Sequence, residues 1–270
     1  MKNEKTYELV LTALFTAIIV IMAFTPLGYI PLVVINATVI HIPVILGALF
    51  LGPKKGAFLG FVFGLTSFIN NTFKAATASA FVFSPVLAAN VVGTSGIFKS
   101  TYICFVPRIL VGIIPYFVYI LIRNLLKSEQ KVWRIVVNAA AALILFVSVR
   151  AFVNRMTDLA GGMLGTIIGL AAGIILYIVL TVTVGKKSAA SISLAYAGLA
   201  GAFTNTLFVM SGIFVLYKEA YAQAIGVAGD AVIDVIMGVV SFNGIVEAVV
   251  AAILVAGVGL ALTKVKPIKG

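Results

Sequence analysis

The chain has 270 residues, of which 62% are hydrophobic and 10% are charged, and its formal net charge at pH 7 is +11. A soluble globular domain has about 45–50% apolar and about 25% charged residues, so this composition excludes an ordinary soluble protein. The positive charges stand in short clusters between apolar runs, which is typical of a membrane topology signal and argues against a nucleic-acid surface. The single cysteine, Cys104, excludes an internal disulfide and a cysteine-based metal site.

Apolar runs recur along the chain and predict an all-α polytopic membrane protein. One transmembrane helix needs about 20 consecutive apolar residues, whereas barrel strands alternate apolar and polar residues, a pattern that these runs lack. Eight candidate spans follow in chain order, at about residues 9–24, 42–51, 57–73, 102–126, 135–149, 159–184, 192–216 and 242–262.

One stretch between the predicted spans, residues 74–100, is intermediate in character. Its Ser, Thr and Pro residues interrupt it too often for a span, and it is too apolar for a solvated linker. We therefore predict that it folds back into the protein, either as a capping loop or with a short helix in it.

The distribution of Lys and Arg predicts that both termini are cytoplasmic. Loops on the cytoplasmic side of a membrane carry an excess of these residues. With the N-terminus inside and eight spans, most of the 19 cations fall on the cytoplasmic side, among them Lys54, Lys55, Arg123 and Lys127.

Small residues at spacings of four predict close helix packing inside the protein. Gly60 and Gly64 form one such pair, and a longer ridge comprises Gly161, Gly165, Gly169 and Gly173. Ridges of this kind let helix backbones approach each other in lipid.

Signs of catalysis are weak. One histidine and one cysteine make metal constellations and nucleophile–base pairs improbable, so we predict that the chain is not an enzyme and holds no resident cofactor. Transport driven by ATP would need a separate ATPase subunit.

Polar side chains interrupt several predicted spans, and they are informative because such groups are expensive inside a bilayer. Most lie towards the outer half of the membrane and predict an outward-facing polar pocket. The structural alternative is that Arg108 pairs with Glu247 and that the asparagines bond between helices. Tyr29, Phe81 and Phe83 would form a hydrophobic lid or serve as interface anchors. The polar residues are Asn36, His41, Asn70, Asn71, Arg108, Asn205, Asn243 and Glu247.

Several sequence blocks occur in an order and spacing that cover most of residues 7–126 and 192–263. The blocks are Ala13-x-x-x-Ala17, Pro26-Leu-Gly-Tyr-Ile-Pro31, Thr38-Val-Ile-His-Ile-Pro43-Val-Ile-Leu-Gly47, Leu51-Gly-Pro-Lys-Lys-Gly56-Ala, Gly64-Leu-Thr-Ser-Phe-Ile-Asn-Asn71, Phe81-Val-Phe-Ser-Pro85, Val106-Pro-Arg-Ile-Leu110, Thr204-Asn-Thr206 and Asn243-Gly-Ile-Val-Glu-Ala248. Together they resemble the substrate-binding (S) components of energy-coupling factor (ECF) vitamin transporters.

The resemblance implies a core of six spans, two fewer than this sequence predicts. Residues 1–131 and 188–270 would then form one S-component core, and residues 132–187 an inserted transmembrane hairpin. An even number of added spans preserves the orientation of the helices that follow.

The resemblance further implies a high-affinity vitamin-binding subunit of an ATP-driven importer in the bacterial plasma membrane. Its partners would be a transmembrane coupling (T) subunit and two cytoplasmic ATPase subunits. Ala13 and Ala17 match the small-residue motif that packs against the coupling subunit in this family. A stand-alone secondary transporter is the rival function, but it would favour an inverted repeat, and none is visible in the sequence.

The blocks resemble the pantothenate-type branch most closely, which makes Arg108 or His41 a candidate partner for a carboxylate. Riboflavin, cobalamin and folate stay open as alternative vitamins. The resemblance places the substrate pocket at Tyr29, Asn36, His41, Asn70, Asn71, Phe81, Phe83, Arg108, Asn205, Asn243 and Glu247.

Overall fold

The structure is a computed structural model that describes residues 2–31, 36–75, 77–127, 131–156, 162–183 and 189–268. Within these ranges the chain is mainly α-helical, as its composition predicts. The helices are α1 (Lys2–Phe24), α2 (His41–Leu51), α3 (Pro53–Phe73), α4 (Pro85–Val92), α5 (Ser95–Val111), α6 (Ile114–Lys127), α7 (Lys131–Met156), α8 (Met163–Thr183), α9 (Ala189–Ile225), α10 (Val232–Val239) and α11 (Ile245–Thr263).

Seven helical segments of the described chain are long and apolar enough to cross a bilayer, and α5 and α6 count as one of them, Ser95–Lys127. The one predicted span that is not among these seven segments is the second in chain order, α2. This helix is buried along its whole length but has only 11 residues. A helix of that length measures about 16 Å, roughly half the thickness of the hydrocarbon core. The described residues therefore contain seven helical segments long enough to cross a bilayer and one short buried helix, α2.

One face of α1 packs against the core around α2. Phe15, Ile19 and Ala23 are buried and follow each other at spacings of four, which places them on one side of the helix. Ala13 and Ala17 lie on the opposite side and are exposed.

Glycines bring the backbones of α3 and α5 into contact. A side chain at Gly60 would collide with the carbonyl group of Arg108, and one at Gly64 would meet the carbonyl oxygen of Cys104 at 2.9 Å. Gly56 and Gly112 face each other in the same way, one turn further along. The predicted close packing at Gly60 and Gly64 is thus found, and it fixes the position of Arg108 relative to α3.

The glycine ridge of α8 packs against α7. A side chain at Gly165 or Gly169 would press on the backbone of Arg150 or Phe146, and Gly173 lies over Ala142. Gly161, the first member of the predicted ridge, lies outside the described residues. The ridge joins the two helices of the predicted hairpin to each other.

The stretch before α5 contains helix, which settles the two alternatives that its sequence left open. A 3₁₀ helix covers Ala78–Phe83, and α4 follows directly. Ser84 caps α4, because its hydroxyl accepts the N–H of Leu87 at 3.2 Å and Pro85 occupies the first helical position. The Ser84 hydroxyl also bonds that of Thr72 at 2.7 Å, which ties this stretch to the end of α3.

The loop between α1 and α2 contains a small antiparallel hairpin of β1 (Tyr29–Pro31) and β2 (Asn36–Thr38), with Tyr29 opposite Thr38. A backbone bond of 2.9 Å from Val39 to Gly28 extends the pairing. The sequence predicted only a loop here, since three-residue strands are too short to leave an alternating pattern.

The region before the last span is more helical than predicted. α9 continues to Ile225, beyond the predicted end at residue 216, and the short helix α10 follows. A π-helical turn, Val240–Gly244, leads directly into α11. Such turns insert a residue into a helix and occur frequently at functional sites.

Candidate functional site

A cavity of about 220 Å³ lies between the α1–α2 loop, α3, the 3₁₀ helix, α5 and α9. It combines one buried cation with amide and hydroxyl groups and two phenyl rings. Its lining residues are Ala23, Thr38, Ile40, Phe63, Thr66, Ser67, Asn70, Asn71, Phe83, Arg108 and Asn205.

Other openings among the described residues are larger but differ in chemistry. A groove of about 410 Å³ between α5 and α9 is open and almost wholly apolar apart from Lys99 and Ser211. A crevice of about 270 Å³ between α7, α8, α9 and α11 has nearly no polar surface. Specific recognition of a small polar molecule needs a few well-placed polar groups, so the 220 Å³ cavity is the candidate site.

Arg108 is 6% exposed and is held in place by its own helix. Pro107 lies inside α5 and has no N–H, so it cannot bond the carbonyl of Ile103 four residues earlier. Nη1 of Arg108 donates to that carbonyl oxygen instead, at 2.6 Å. The guanidinium carbon lies 5.6 Å and 5.1 Å from the ring centres of Phe63 and Phe83, which is cation–π distance. A positive charge is therefore fixed in the cavity wall.

Three asparagine amides line the same cavity. Asn70 donates to the carbonyl oxygen of Ala23 on α1 at 3.2 Å, and Asn71 donates to the carbonyl oxygen of Ser67 at 2.8 Å. The Oδ1 atoms of Asn70 and Asn205 are buried and find no donor among the described residues. A buried acceptor without a donor is costly, so these atoms can gain from the donors of a ligand.

The structure brings together five residues of the predicted site and adds neighbours that sequence reasoning missed. Asn70, Asn71, Phe83, Arg108 and Asn205 all line the cavity. The additions include Thr66 and Ser67, which precede the two α3 asparagines by four residues. That helical spacing is a signal that could have found them.

Other predicted site residues lie outside the lining among the described residues. His41 is fully buried in the first turn of α2, and neither ring nitrogen has a hydrogen-bond partner in the described chain. Phe81 packs edge-on against Tyr217 at 5.4 Å. Asn243 belongs to the π-helical turn, and its buried Oδ1 has no donor in the described ranges.

Glu247 is close to the cavity without lining it. The carboxylate is 7% exposed and accepts the backbone N–H of Thr38 at 2.8 Å and the hydroxyl of Thr206 at 3.3 Å. The backbones of Tyr29 and Asn36 are in β1 and β2, but their side chains lie outside the described part of the structure.

Comparison with known proteins identifies a family. The pattern of the family "ECF transporter, substrate-specific component" matches residues 8–154, which run from the first turns of α1 nearly to the end of α7. The prediction of an ECF S component is thereby confirmed.

Two curated relatives carry names that mention pantothenate. The chain is 42% identical over 137 residues to the pantothenic acid transporter PanT of Lactococcus lactis subsp. cremoris, covering 47% of this chain and 65% of the relative. It is 36% identical over 121 residues to the pantothenate transporter PanT of Leuconostoc mesenteroides, covering 42% of this chain and 51% of the relative.

The alignments therefore span less than two thirds of either relative, whereas the family pattern covers more than half of this chain. Together with the seven apolar helices, that match shows that the protein belongs to the substrate-specific components of ECF transporters and is a multi-pass protein of the plasma membrane.

Proposed function

We propose that this chain is the high-affinity substrate-binding subunit of an ATP-driven ECF importer and that its substrate is pantothenate. The observation that carries the proposal is the cavity in which the buried Arg108 meets three asparagine amides. The pantothenate named in both relatives has the functional groups that this arrangement fits.

Pantothenate has a carboxylate at one end, an amide in the middle and two hydroxyls beside a dimethyl-substituted carbon at the other end. Arg108 would bind the carboxylate, since a guanidinium matches its geometry and charge. The Oδ1 atoms of Asn70 and Asn205 would accept hydrogen bonds from the amide N–H and the hydroxyls. The rings of Phe63 and Phe83, which flank Arg108, would pack against the two methylene groups next to the carboxylate.

The size of the cavity favours pantothenate over the other vitamins that the sequence left open. Pockets for drug-sized ligands measure about 300–1,000 Å³, and this one measures about 220 Å³. Riboflavin, folate and cobalamin are all larger than pantothenate and would require the cavity to expand.

ATP hydrolysis would come from partners, as family membership implies. We propose that α1 docks on the transmembrane coupling subunit through the stripe of Ala13 and Ala17, with both termini on the cytoplasmic side. This orientation requires that α2 and the loop before it together return the chain across the membrane, and in its support Lys55 at the start of α3 pairs with Glu8 of α1. Both alanines are exposed on the side of α1 that faces away from the core. Two small residues one turn apart let a partner helix approach closely.

The division into a core and an inserted hairpin is a further part of the proposal. Residues 132–187 would form the hairpin, and residues 1–131 and 188–270 the core. In its support, the glycines of α8 pack on α7, and the cavity-lining residues all lie outside 132–187.

Reconstitution tests the function. The purified chain should bind pantothenate at submicromolar concentrations by itself, yet liposomes that contain only this chain should show no uptake. Adding the coupling subunit, both ATPase subunits and ATP should start uptake. Uptake by the chain alone without ATP, or tighter binding of riboflavin than of pantothenate, would overturn the proposal.

A further inference from the structure

Glu247 connects three separate elements of the fold. It lies in the first turn of α11, and its two carboxylate oxygens accept hydrogen bonds from Thr38 in β2 and from Thr206 in α9. The bond to the Thr38 N–H joins residues that are 209 positions apart in the sequence.

A buried carboxylate in a membrane-spanning helix is expensive, and such residues generally have a functional role. The described lining of the cavity contains Thr38 but not Glu247. The hydrogen bond from the Thr38 N–H therefore gives Glu247 an indirect connection to the cavity wall.

The hairpin that carries Thr38 needs such support. β1 and β2 are three residues each, and an isolated two-stranded hairpin is at best marginally stable in water. Thr38 and Ile40 nevertheless form part of the cavity wall. The charge-assisted hydrogen bond of 2.8 Å from the Thr38 N–H to the Glu247 carboxylate ties the end of β2, and with it this part of the cavity wall, to α11.

The helix geometry around Glu247 suits this role. Gly244, the last residue of the π-helical turn, lies against Thr206, and a Cβ at this position would be 3.0 Å from the Thr206 methyl group. The missing side chain lets the start of α11 approach α9 closely. That approach puts the Glu247 carboxylate within hydrogen-bond distance of the Thr206 hydroxyl.

We infer that Glu247 is a positioning residue: it fixes β2 against α9 and α11 so that Thr38 completes the cavity wall, and it does not contact the substrate. This role adds to the proposed function. The binding measurements described next depend on that proposal, because they use pantothenate as the ligand. The positioning role revises the sequence-based prediction that Glu247 binds the vitamin directly.

Two substitutions separate positioning from direct charge recognition. In Glu247→Gln the side-chain carbonyl can still accept the Thr38 N–H, so the Kd for pantothenate should rise by no more than about threefold, since the hydrogen bond that positions Thr38 is kept. In Glu247→Ala the acceptor is gone, and the Kd should rise by at least about tenfold through faster release. Equal, large losses in both variants would show that the charge itself binds the substrate.

Hydrogen exchange of the ligand-free protein tests the anchor without any assumption about the substrate. Exchange at residues 36–40 should be at least about tenfold faster in Glu247→Ala than in wild type, because the Thr38 N–H loses its acceptor. Exchange in α3 and α5 should stay unchanged. Thr206→Val keeps the Thr38 bond and should leave residues 36–40 protected, as should Glu219→Ala, which removes an exposed acid of α9.

The exchange data decide the outcome in every case. Unchanged exchange at residues 36–40 in Glu247→Ala would overturn the inference, and so would a uniform loss of protection over the whole chain. If the purified chain binds no pantothenate but the local exchange result holds, the proposed substrate fails and the anchor stands.

Discussion

The side chain of Arg108 donates a 2.6 Å hydrogen bond to the carbonyl oxygen of Ile103 on the same helix. This oxygen would bond the N–H of residue 107 in a regular helix, but residue 107 is a proline. The proline thus creates an acceptor that orients the arginine. A side chain that is already ordered before the ligand binds loses less conformational entropy when it binds a carboxylate, and this raises the affinity.

Replacing Arg108 with glutamine should weaken pantothenate binding about 10- to 100-fold. A hydrogen bond to a charged group contributes about 1.5–3 kcal/mol, and each 1.4 kcal/mol corresponds to about tenfold in Kd. Isothermal titration of the purified variant measures the change.

Panthenol is the matched ligand for this experiment, because a hydroxymethyl group replaces the carboxylate of pantothenate. It should bind the wild type more weakly than pantothenate and be little affected by Arg108→Gln. A similar loss for both ligands would mean that Arg108 supports the fold of the site and does not recognise the carboxylate.

Asn205→Ala should weaken pantothenate binding by about 1–3 kcal/mol, the cost of leaving a hydrogen-bonding group of the ligand unpaired. Asn138→Ala is the matched control. Asn138 is also buried with an Oδ1 that lacks a donor in the described chain, but it lies in α7 away from the cavity lining. If the two variants lose equal affinity, Asn205 does not contact the substrate.

Part of this site could be predicted from sequence because it is local. Asn70 and Asn71 stand out as polar residues at the end of an apolar run, and helical spacing alone places Thr66 and Ser67 beside them. Arg108 stands out for the same reason, since a cation inside an apolar run is rare.

The other features of the site and the fold depend on contacts between segments that are distant in the sequence. No pattern in the sequence pairs Thr38 with Glu247, so the hydrogen bonds of this acid to Thr38 and Thr206 were not predicted. The sequence located α2 as a short apolar run at about residues 42–51, but hydropathy alone does not distinguish a short buried helix from one that spans the membrane. The helices α4 and α10 have eight residues each, too few for a clear periodic signal.

Gly60→Ala should destabilise the protein by about 1–3 kcal/mol, the usual cost of overpacking a close-packed contact. The added methyl group would collide with the carbonyl of Arg108, and its nearest neighbours are all backbone atoms that cannot rotate away. Thermal unfolding in detergent measures the loss.

Gly257→Ala in α11 provides the control for this substitution. No heavy atom lies within 4 Å of the position of its Cβ. Alanine has a more favourable helix propensity than glycine by about 1 kcal/mol, so the melting temperature should stay the same or rise. A fall as large as that of Gly60→Ala would contradict the packing argument.

Replacing both Ala13 and Ala17 with tryptophan should abolish ATP-driven uptake in the reconstituted complex while pantothenate binding stays intact. The two side chains are exposed on α1 and lie outside the described cavity lining, so bulk at these positions obstructs only a partner helix. Ala171→Trp, on an exposed position of α8, should leave both uptake and binding unchanged. Loss of binding in the double variant would place these alanines in the fold and not at the coupling subunit.

Deleting residues 132–187 and joining the ends with a short Gly/Ser linker should leave the Kd for pantothenate within about twofold of the full chain, because no residue of this segment lines the cavity. The join is sterically reasonable because Leu126, near the end of α6, and Ala189, at the start of α9, belong to one buried cluster. The melting temperature should fall, since Ala189 and Ile192 lose their contacts with Val137. A folded, monodisperse deletion variant that no longer binds pantothenate would show that the hairpin belongs to the functional core.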